Sequence, residues 1–339
     1  MRPTLIDIAK QTNTSVSTVS RVLTGGRVAQ HVSDETKSRV LAAAKALGYR
    51  PNLVARGLRT RRSGAVALLV SDIANPWFAR LASLVEQSLH RRGYSLILCN
   101  SGEDAEVEAQ YLDLLPQKGV DGLIIVPLLR TKKALHEHVP ADMPLVVLDR
   151  PIPGISATVS SDEEQLAGLL CDTLGRALVR RVAIVSGPHS VVTHRRRTEL
   201  VSKCFNVAAV HEGPAQPETG RQAFIKFIAG DESMDGPPLD AIVCTNNFLG
   251  QGVIDAIAML EKPPVIACFD EIPMMHLLPL PIACSIQDVP MLAEACVSQL
   301  IPQLERDTST KIQPVLLPAR AVTNRAFQMR MFGQEVVAR

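Results

Sequence analysis

Apolar positions in the first fifty residues recur at helical spacing. Leu5, Ile8 and Ala9 form one short stripe, Asn13-Thr14-Ser15 interrupts it, and Val19, Val22 and Leu23 form a second. Ser15 can cap the second helix, whose outer N-terminal face carries Val16, Ser17, Ser20 and Arg21. Ser33-Asp34-Glu35-Thr36 opens a third helix with a stripe of Val40, Leu41, Ala44 and Leu47, ended by Gly48. Beyond Pro51 the pattern weakens, because Gly57 costs a helix about 1 kcal/mol relative to Ala. From Gly64 the period changes. Strand-length apolar runs (AVALLV, YSLILCN, GLIIVP, LVVLD, RVAIVS, DAIVCT, VIACFD) alternate with amphipathic helices. Strands without internal polarity belong to parallel sheets covered on both faces, and two such sheets fit the length. The fold class is therefore an all-α three-helix head followed by a two-lobed α/β unit.

Charge sharpens this division. Residues 1–62 hold twelve Lys and Arg against three acids, a net of +9, so the remainder carries 24 basic and 31 acidic residues, a net of −7. Such asymmetry is the electrostatic footprint of a polyanion partner at one end of the chain. The seven cysteines are scattered, never as C-x-x-C, and mostly within apolar runs, which predicts reduced buried thiols. No apolar run approaches the ~20 residues of a membrane-spanning helix, and the first dozen positions carry no apolar export-signal run, so a cytoplasmic protein is expected.

The segment TLIDIAKQTNTSVSTVSRVLTG, followed by VSDETKSRVLAAAKALGYRPN, closely resembles the DNA-binding head of the lac repressor (LacI/GalR) family. This resemblance implies a helix-turn-helix domain over 1–50, a hinge over 51–63, and a sensor over 64–339 of the type I periplasmic-binding-protein architecture. Its N-lobe would span about 64–161 plus 289–320, and its C-lobe about 162–288 plus 321–332. It implies that Val16, Ser17 and Arg21 read bases in the major groove, with Thr4, Ser15, Thr18 and Ser20 beside them on DNA. In the hinge it implies an apolar wedge at Leu58 entering the minor groove, with Asn52, Ala55, Arg56 and Arg59 alongside. A homodimer on a pseudo-palindromic double-stranded operator is the expected assembly. The loop GGRVAQHVS and the segments TNNFLGQGV and MMHLLPLPIACSIQD resemble the fructose repressor branch.

Ligands of parallel sheets bind at the carboxyl ends of strands. Asp72, Asn75, Trp77 and Phe78 follow the first run. Asp149-Arg150 follows the fourth, where a charged pair is poor core material. By the resemblance, Asp162 and an arginine of PHSVVTHRRRTEL face the ligand; Arg196 fits the spacing best, since Leu200 falls four residues on, with Arg195 and Arg197 as rivals. Asn247, Asp270 and Gln287 complete the expected set. Asn246-Asn247 stands where many members carry Asn-Asp. A lost carboxylate beside three consecutive arginines points to an anionic effector, a phosphorylated sugar first, with a neutral sugar, sugar acid or nucleoside as the alternative. The expected role is a repressor of carbohydrate-metabolism genes.

An enzyme would need a nucleophile, metal cluster or nucleotide loop, and no G-x-x-x-x-G-K-[ST], G-x-S-x-G or H-E-x-x-H is present. His136-Glu137-His138 has i, i+2 spacing, which points the two rings apart on a helix. Neither cofactor nor metal is expected.

Overall fold

The computed structural model describes residues 3–24, 31–49, 62–229, 237–257, 260 and 262–332. The chain divides into two compact units, Met1–Ser63 and Gly64–Arg339. The hinge positions Asn52, Ala55, Arg56, Leu58 and Arg59 lie outside the described residues.

In the head, α1 (Leu5–Thr12), α2 (Val16–Thr24) and α3 (Asp34–Ala46) enclose Ile8, Ala9, Val19, Val22, Val40, Ala43 and Ala44. Thr4 and Asp7 form a capping box at α1: the Thr4 amide donates to Asp7 at 2.8 Å and the Asp7 amide to the Thr4 hydroxyl at 3.4 Å. Asn13 ends the helix in the left-handed conformation at φ 51°, a role suited to Asn. In α3 the buried position falls on Ala43, and the expected Leu41 is 53% exposed.

The larger unit holds two six-stranded sheets. The first contains β1 (Ala65–Val70), β2 (Ser95–Asn100), β3 (Gly122–Ile125), β4 (Leu145–Leu148), β5 (Thr158–Ser161) and β11 (Val315–Leu317). The second contains β6 (Arg181–Ser186), β7 (Asn206–Glu212), β8 (Ala241–Cys244), β9 (Val265–Phe269), β10 (Ile282–Gln287) and β12 (Ala319–Thr323). Their orders, β11-β5-β4-β3-β1-β2 and β12-β10-β9-β8-β6-β7, repeat the same topology. Among the described strands only β10–β12 pair antiparallel. The helices are α4 (Pro76–Arg91), α5 (Ala105–Gln117), α6 (Lys132–His138), α7 (Glu163–Arg176), α8 (Val192–Cys204), α9 (Pro217–Ala229), α10 (Asn247–Ile257), α11 (Val289–Glu305) and α12 (Arg325–Phe332). Separate apolar clusters cover each face of each sheet, as the unbroken burial of β6 and β10, and of β1 beyond Ala65, requires.

The chain crosses between lobes after β5, after β10 and at Pro318. The last crossing precedes the expected boundary by two residues, since Ala319 already pairs with Gln287. Asp162 and Asp288 stand at the first two crossings and cap the helices that follow, accepting the Gln165 and Met291 amides at 3.0 Å each. Gly252 of the TNNFLGQGV segment and Gly220 of α9 are packing residues: a Cβ on Gly252 would run into the Pro217 carbonyl oxygen, and one on Gly220 into that of Leu249. This lets α9 and α10 touch backbone to backbone. The cysteines are free thiols, all buried except Cys204. No helix among the described residues is long and apolar enough to cross a membrane.

Candidate functional site

In the head, Ser15 accepts the Thr18 amide at 3.1 Å and so starts α2. Its hydroxyl also lies 2.7 Å from Ser17 and 2.8 Å from Thr18. Val19 and Val22 turn inward, which leaves Val16, Ser17 and Arg21 exposed and Thr18 and Ser20 half-buried. An exposed polar helix face with a guanidinium, on a unit of such positive charge, presents bidentate donors suited to guanine and hydroxyls suited to phosphate or base edges. Thr4 is exposed at the start of α1, its hydroxyl engaged by Asp7 at 2.7 Å.

In the larger unit, the carboxyl ends of both sheets face a cleft of about 360 Å³ between the lobes, within the usual range for small-molecule sites. One wall carries Asp72, Asn75, Trp77 and Phe78 at the start of α4, Glu103 after β2, and Asp149 and Arg150 after β4. The other carries Thr193, His194 and Arg197 on α8, Gln216 after β7, Asn246 and Phe248 after β8, Asp270 after β9, and Gln287 after β10. Trp77 and Phe78 meet edge to face at 4.8 Å, and the Trp77 Nε1 is buried without a protein acceptor.

Asp149 and Asp270 occupy equivalent ends of β4 and β9. Both hold left-handed backbone, φ 66° and 69°, a strained state that concentrates at functional sites. Each is flanked by a guanidinium that already holds a carboxylate through two hydrogen bonds. Arg150 donates to both Glu103 oxygens, at 2.7 and 3.2 Å. Arg197 donates to both Glu163 oxygens at 2.9 Å, to the Thr245 carbonyl at 2.9 Å and to Asp270 at 3.3 Å, and lies 4.8 Å above the Phe269 ring. Burial pushes the Asp149 carboxyl up to about 6, against the pull of Arg150 and Arg197. Burial likewise raises Asp270, against Arg197 and the Gln287 amide, which donates at 3.0 Å. For Arg197 burial disfavours the charge, but Glu163 and Asp270 outweigh it and hold the group protonated. Burial, then Arg150 and Arg197, keep His194 well below the usual imidazole range, so it is neutral. Its Nδ1 lies 2.8 Å from the Thr245 hydroxyl, and a Cβ on Gly187 would strike its ring. On one side of the cleft Asn75 and Asn247 exchange reciprocal amide bonds of 2.9 and 3.0 Å between the lobes.

The sequence matches two family descriptions: "Bacterial regulatory proteins, lacI family" over residues 4–52, and "Periplasmic binding proteins and sugar binding domain of LacI family" over residues 63–262. A ribose operon repressor of Halalkalibacterium halodurans is 32% identical over 336 residues, covering 94% of this chain and 97% of the relative. This chain belongs to the LacI family. Another relative, the PurR transcriptional repressor of Mannheimia succiniciproducens, is 30% identical over 75% of the chain and 76% of its own length. The lac repressor dimer bound to operator and the anti-inducer ONPF shares the fold at a TM-score of 0.83 and 22% identity, covering 96% of this chain and 99% of that one. The Cra regulator of Pseudomonas putida with fructose 1-phosphate aligns at 0.66 and 21% identity, over 77% of this chain and 97% of that one. Relatives of the LacI-family regulator thus include ribose and purine repressors, and they do not single out the fructose branch.

Of the expected effector residues, Asp72, Asn75, Trp77, Phe78, Asp149, Arg150, Arg197, Asp270 and Gln287 line the cleft. Three expectations need correction. Arg196 points outward, with Glu164 and Glu199 as its partners, because one residue along a helix is a rotation of about 100°. Asp162 is spent on capping α7. Asn247 acts behind the cleft wall as the partner of Asn75 and borders an adjoining cavity of about 220 Å³. Sequence reasoning missed Glu103, Thr193, His194, Gln216, Asn246 and Phe248. Position after a strand was signal enough for Glu103 and Asn246; nothing in the sequence marks His194. The His136-Glu137-His138 run is a surface feature, with His136 near the Val139 carbonyl at 3.4 Å and His138 beside Asp113 at 2.9 Å.

Proposed function

We propose that this LacI-family regulator is a sugar-responsive repressor whose effector is a neutral polyhydroxylated molecule bound between the lobes. The charge of the cleft carries this reading. Asp72, Glu103, Asp149 and Asp270 oppose Arg150 and Arg197, a formal −2 with His194 neutral. Both guanidiniums already hold bidentate carboxylates. A dianion placed there would face four carboxylates, with neither guanidinium free of one. Sugar hydroxyls, by contrast, can donate to Asp149 and Asp270 and accept from Arg150, Asn246 and the Trp77 indole. Arg196, the arginine expected to face the ligand, is paired outside the cleft with Glu164 and Glu199. The ribose repressor among the relatives is in keeping with a sugar. Calorimetry on the full chain with neutral pentoses and hexoses beside their phosphate esters tests this: a neutral sugar binds, and binding confined to phosphorylated forms would overturn the reading.

The DNA-facing residues act as a pair of heads on a pseudo-palindrome. Arg21→Ala weakens operator binding by roughly 1–3 kcal/mol and relaxes preference at one base pair of each half-site. Equal losses on operator and random duplex in a competition titration would show that Arg21 positions the head and does not read sequence. Leu58 is the proposed minor-groove wedge, and an unchanged operator bend for Leu58→Ala would remove it from that role.

Dimerisation is supported by apolar side chains on the β2 edge: Ile97 is 39% and Leu98 42% exposed, and Leu114 on neighbouring α5 is 42% exposed. Exposed apolar edges normally mark pairing surfaces. Light scattering gives a dimer at micromolar concentration and, for Leu98→Glu, a shift toward monomer; a wild-type monomer with and without DNA sinks the proposal.

A further inference from the structure

A further cavity, of about 220 Å³ and distinct from the one beside Asn247, opens on the flank of the inter-lobe seam. Arg130 lines it from the segment after β3, Arg150 and Pro151 from the segment after β4, and Ser190, Val192 and Arg195 from the start of α8. Its lining contains three guanidiniums and no carboxylate, which sets it apart from the acid-rich main cleft. Arg150 borders both spaces, so charge segregates to either side of one side chain.

The three arginines are engaged to different degrees. Arg150 is bound to Glu103, and its buried Nε, 3.9 Å from Asp149, makes no hydrogen bond. Arg195 faces only Glu199 one turn along its own helix, at 3.8 Å, and remains about half exposed. Arg130 makes no ion pair with a described carboxylate; it donates across the seam to the Ser190 carbonyl. Its segment is held in place from below. Fully buried Glu108 accepts the Leu128 and Leu129 amides at 2.8–3.1 Å.

The start of α8 adds a further donor set. Helices α4, α5, α6, α7 and α11 each begin on a side chain that accepts a first-turn amide. Val191 begins α8 and has no such side chain, so the 13-residue helix opens onto the cavity with uncapped N–H groups at the positive end of its dipole. Arginine forks and a helix N-terminus are the two standard donors for a phosphoryl group.

We propose that this cavity is a phosphoryl site: a phosphate dianion, free or carried on a monoester, is held by Arg130 from one lobe and by Arg195 and the α8 amides from the other. A dianion so placed ties the lobes together at a second point. It therefore favours one inter-lobe arrangement and couples reciprocally to whatever occupies the main cleft. The site stands independently of which ligand that is.

Calorimetry on the full chain at constant ionic strength, with inorganic phosphate, ribose 5-phosphate and ribose as probes, tests the assignment on wild type and on Arg130→Gln/Arg195→Gln. The single tryptophan, Trp77, reports the cleft in the same titrations. The expected result is that the double variant loses at least tenfold in affinity for phosphate while ribose titrates as before. A loss seen with ribose 5-phosphate alone assigns the dianion to a sugar ester and supports the same site. Unchanged phosphate and ester affinities in the double variant, or no binding of either by wild type, overturn it. Ribose binding without any phosphoryl response rejects the site while leaving the neutral-sugar reading intact, and an arginine-dependent phosphoryl response without ribose binding does the reverse.

Discussion

Arg197→Ala lowers the unfolding free energy of the sensor by about 3–5 kcal/mol at pH 7.5, the range for removing one partner of a buried charge cluster. The reason is the company Arg197 keeps. Its side chain is 4% exposed, and it is the cation that serves both Glu163 and Asp270, whose carboxylates stay behind when it is removed. The Thr245 carbonyl loses its donor as well. Burial already raises the Asp270 carboxyl and Arg197 opposes that, so without Arg197 the stranded Asp270 takes up a proton more readily and the deficit shrinks as pH falls from 7.5 toward 5. Arg196→Ala, one residue away, changes stability by less than about 0.5 kcal/mol, because its partners Glu164 and Glu199 are half exposed or more. Urea titrations of both variants at two pH values decide the matter. A loss under about 1 kcal/mol for Arg197→Ala, no larger than that for Arg196→Ala, would mean that Arg197 is not structurally committed.

The contrast between neighbouring arginines also shows where sequence reading stops. The hydrophobic period established both sheets, because strands covered on two faces cannot hide their apolar runs among polar ones. Loop position found most of the cleft, since a residue just past a buried parallel strand has few places to go other than the ligand face. It failed within α8. Leu200 lies four residues after Arg196 and three after Arg197, and both spacings keep two side chains on one helix face. The buried face proves to be Thr193, His194, Arg197, Thr198, Leu200 and Val201. Val201 breaks the tie, four residues after Arg197 and five after Arg196, and Thr193 and His194 lie on the same face.

Asp162 failed for a different reason. An Asp directly after a strand can face a ligand or cap the next helix, and the repeated topology supplies the arbiter. Asp288 holds the equivalent place after β10, and both carboxylates accept a first-turn amide. The ligand-facing pair is Asp149 and Asp270, which share positive φ at the ends of β4 and β9. Positive φ cannot be read from residue type, though Asp and Asn tolerate it better than most. Charge balance in the cleft was equally hidden. Glu163 lies well apart in sequence from the Arg197 it neutralises, and the expectation of an anionic ligand counted the arginines without their partners.

Asp149→Asn makes the unliganded protein more stable at pH 7.5, by up to about 3 kcal/mol, while weakening effector binding at least tenfold. Burial lifts the Asp149 carboxyl from its ordinary 3.8 to about 6, a gap worth about 3 kcal/mol. The folded state holds the proton more tightly than the unfolded chain, so wild-type stability falls as pH rises from about 4 to 6 and the full penalty persists above 6. Asparagine carries no charge to desolvate and tolerates the φ of 66° at this position. The stability gain is therefore constant above pH 6 and fades toward pH 4, where the wild-type carboxyl is protonated in the fold. Binding moves the other way, because a carboxylate that accepts sugar hydroxyls contributes about 1.5–3 kcal/mol through charge-assisted hydrogen bonds. Asp270→Asn does not share the gain: its Oδ2 accepts from Arg197 at 3.3 Å and its Oδ1 from Gln287 at 3.0 Å, and an amide would turn one acceptor into a donor facing another donor. Thermal melts of both variants from pH 4 to 8, with and without sugar, test the assignment. A pH-independent gain for Asp149→Asn, or full retention of sugar affinity, would show that the strained, desolvated carboxylate is not held there for the ligand.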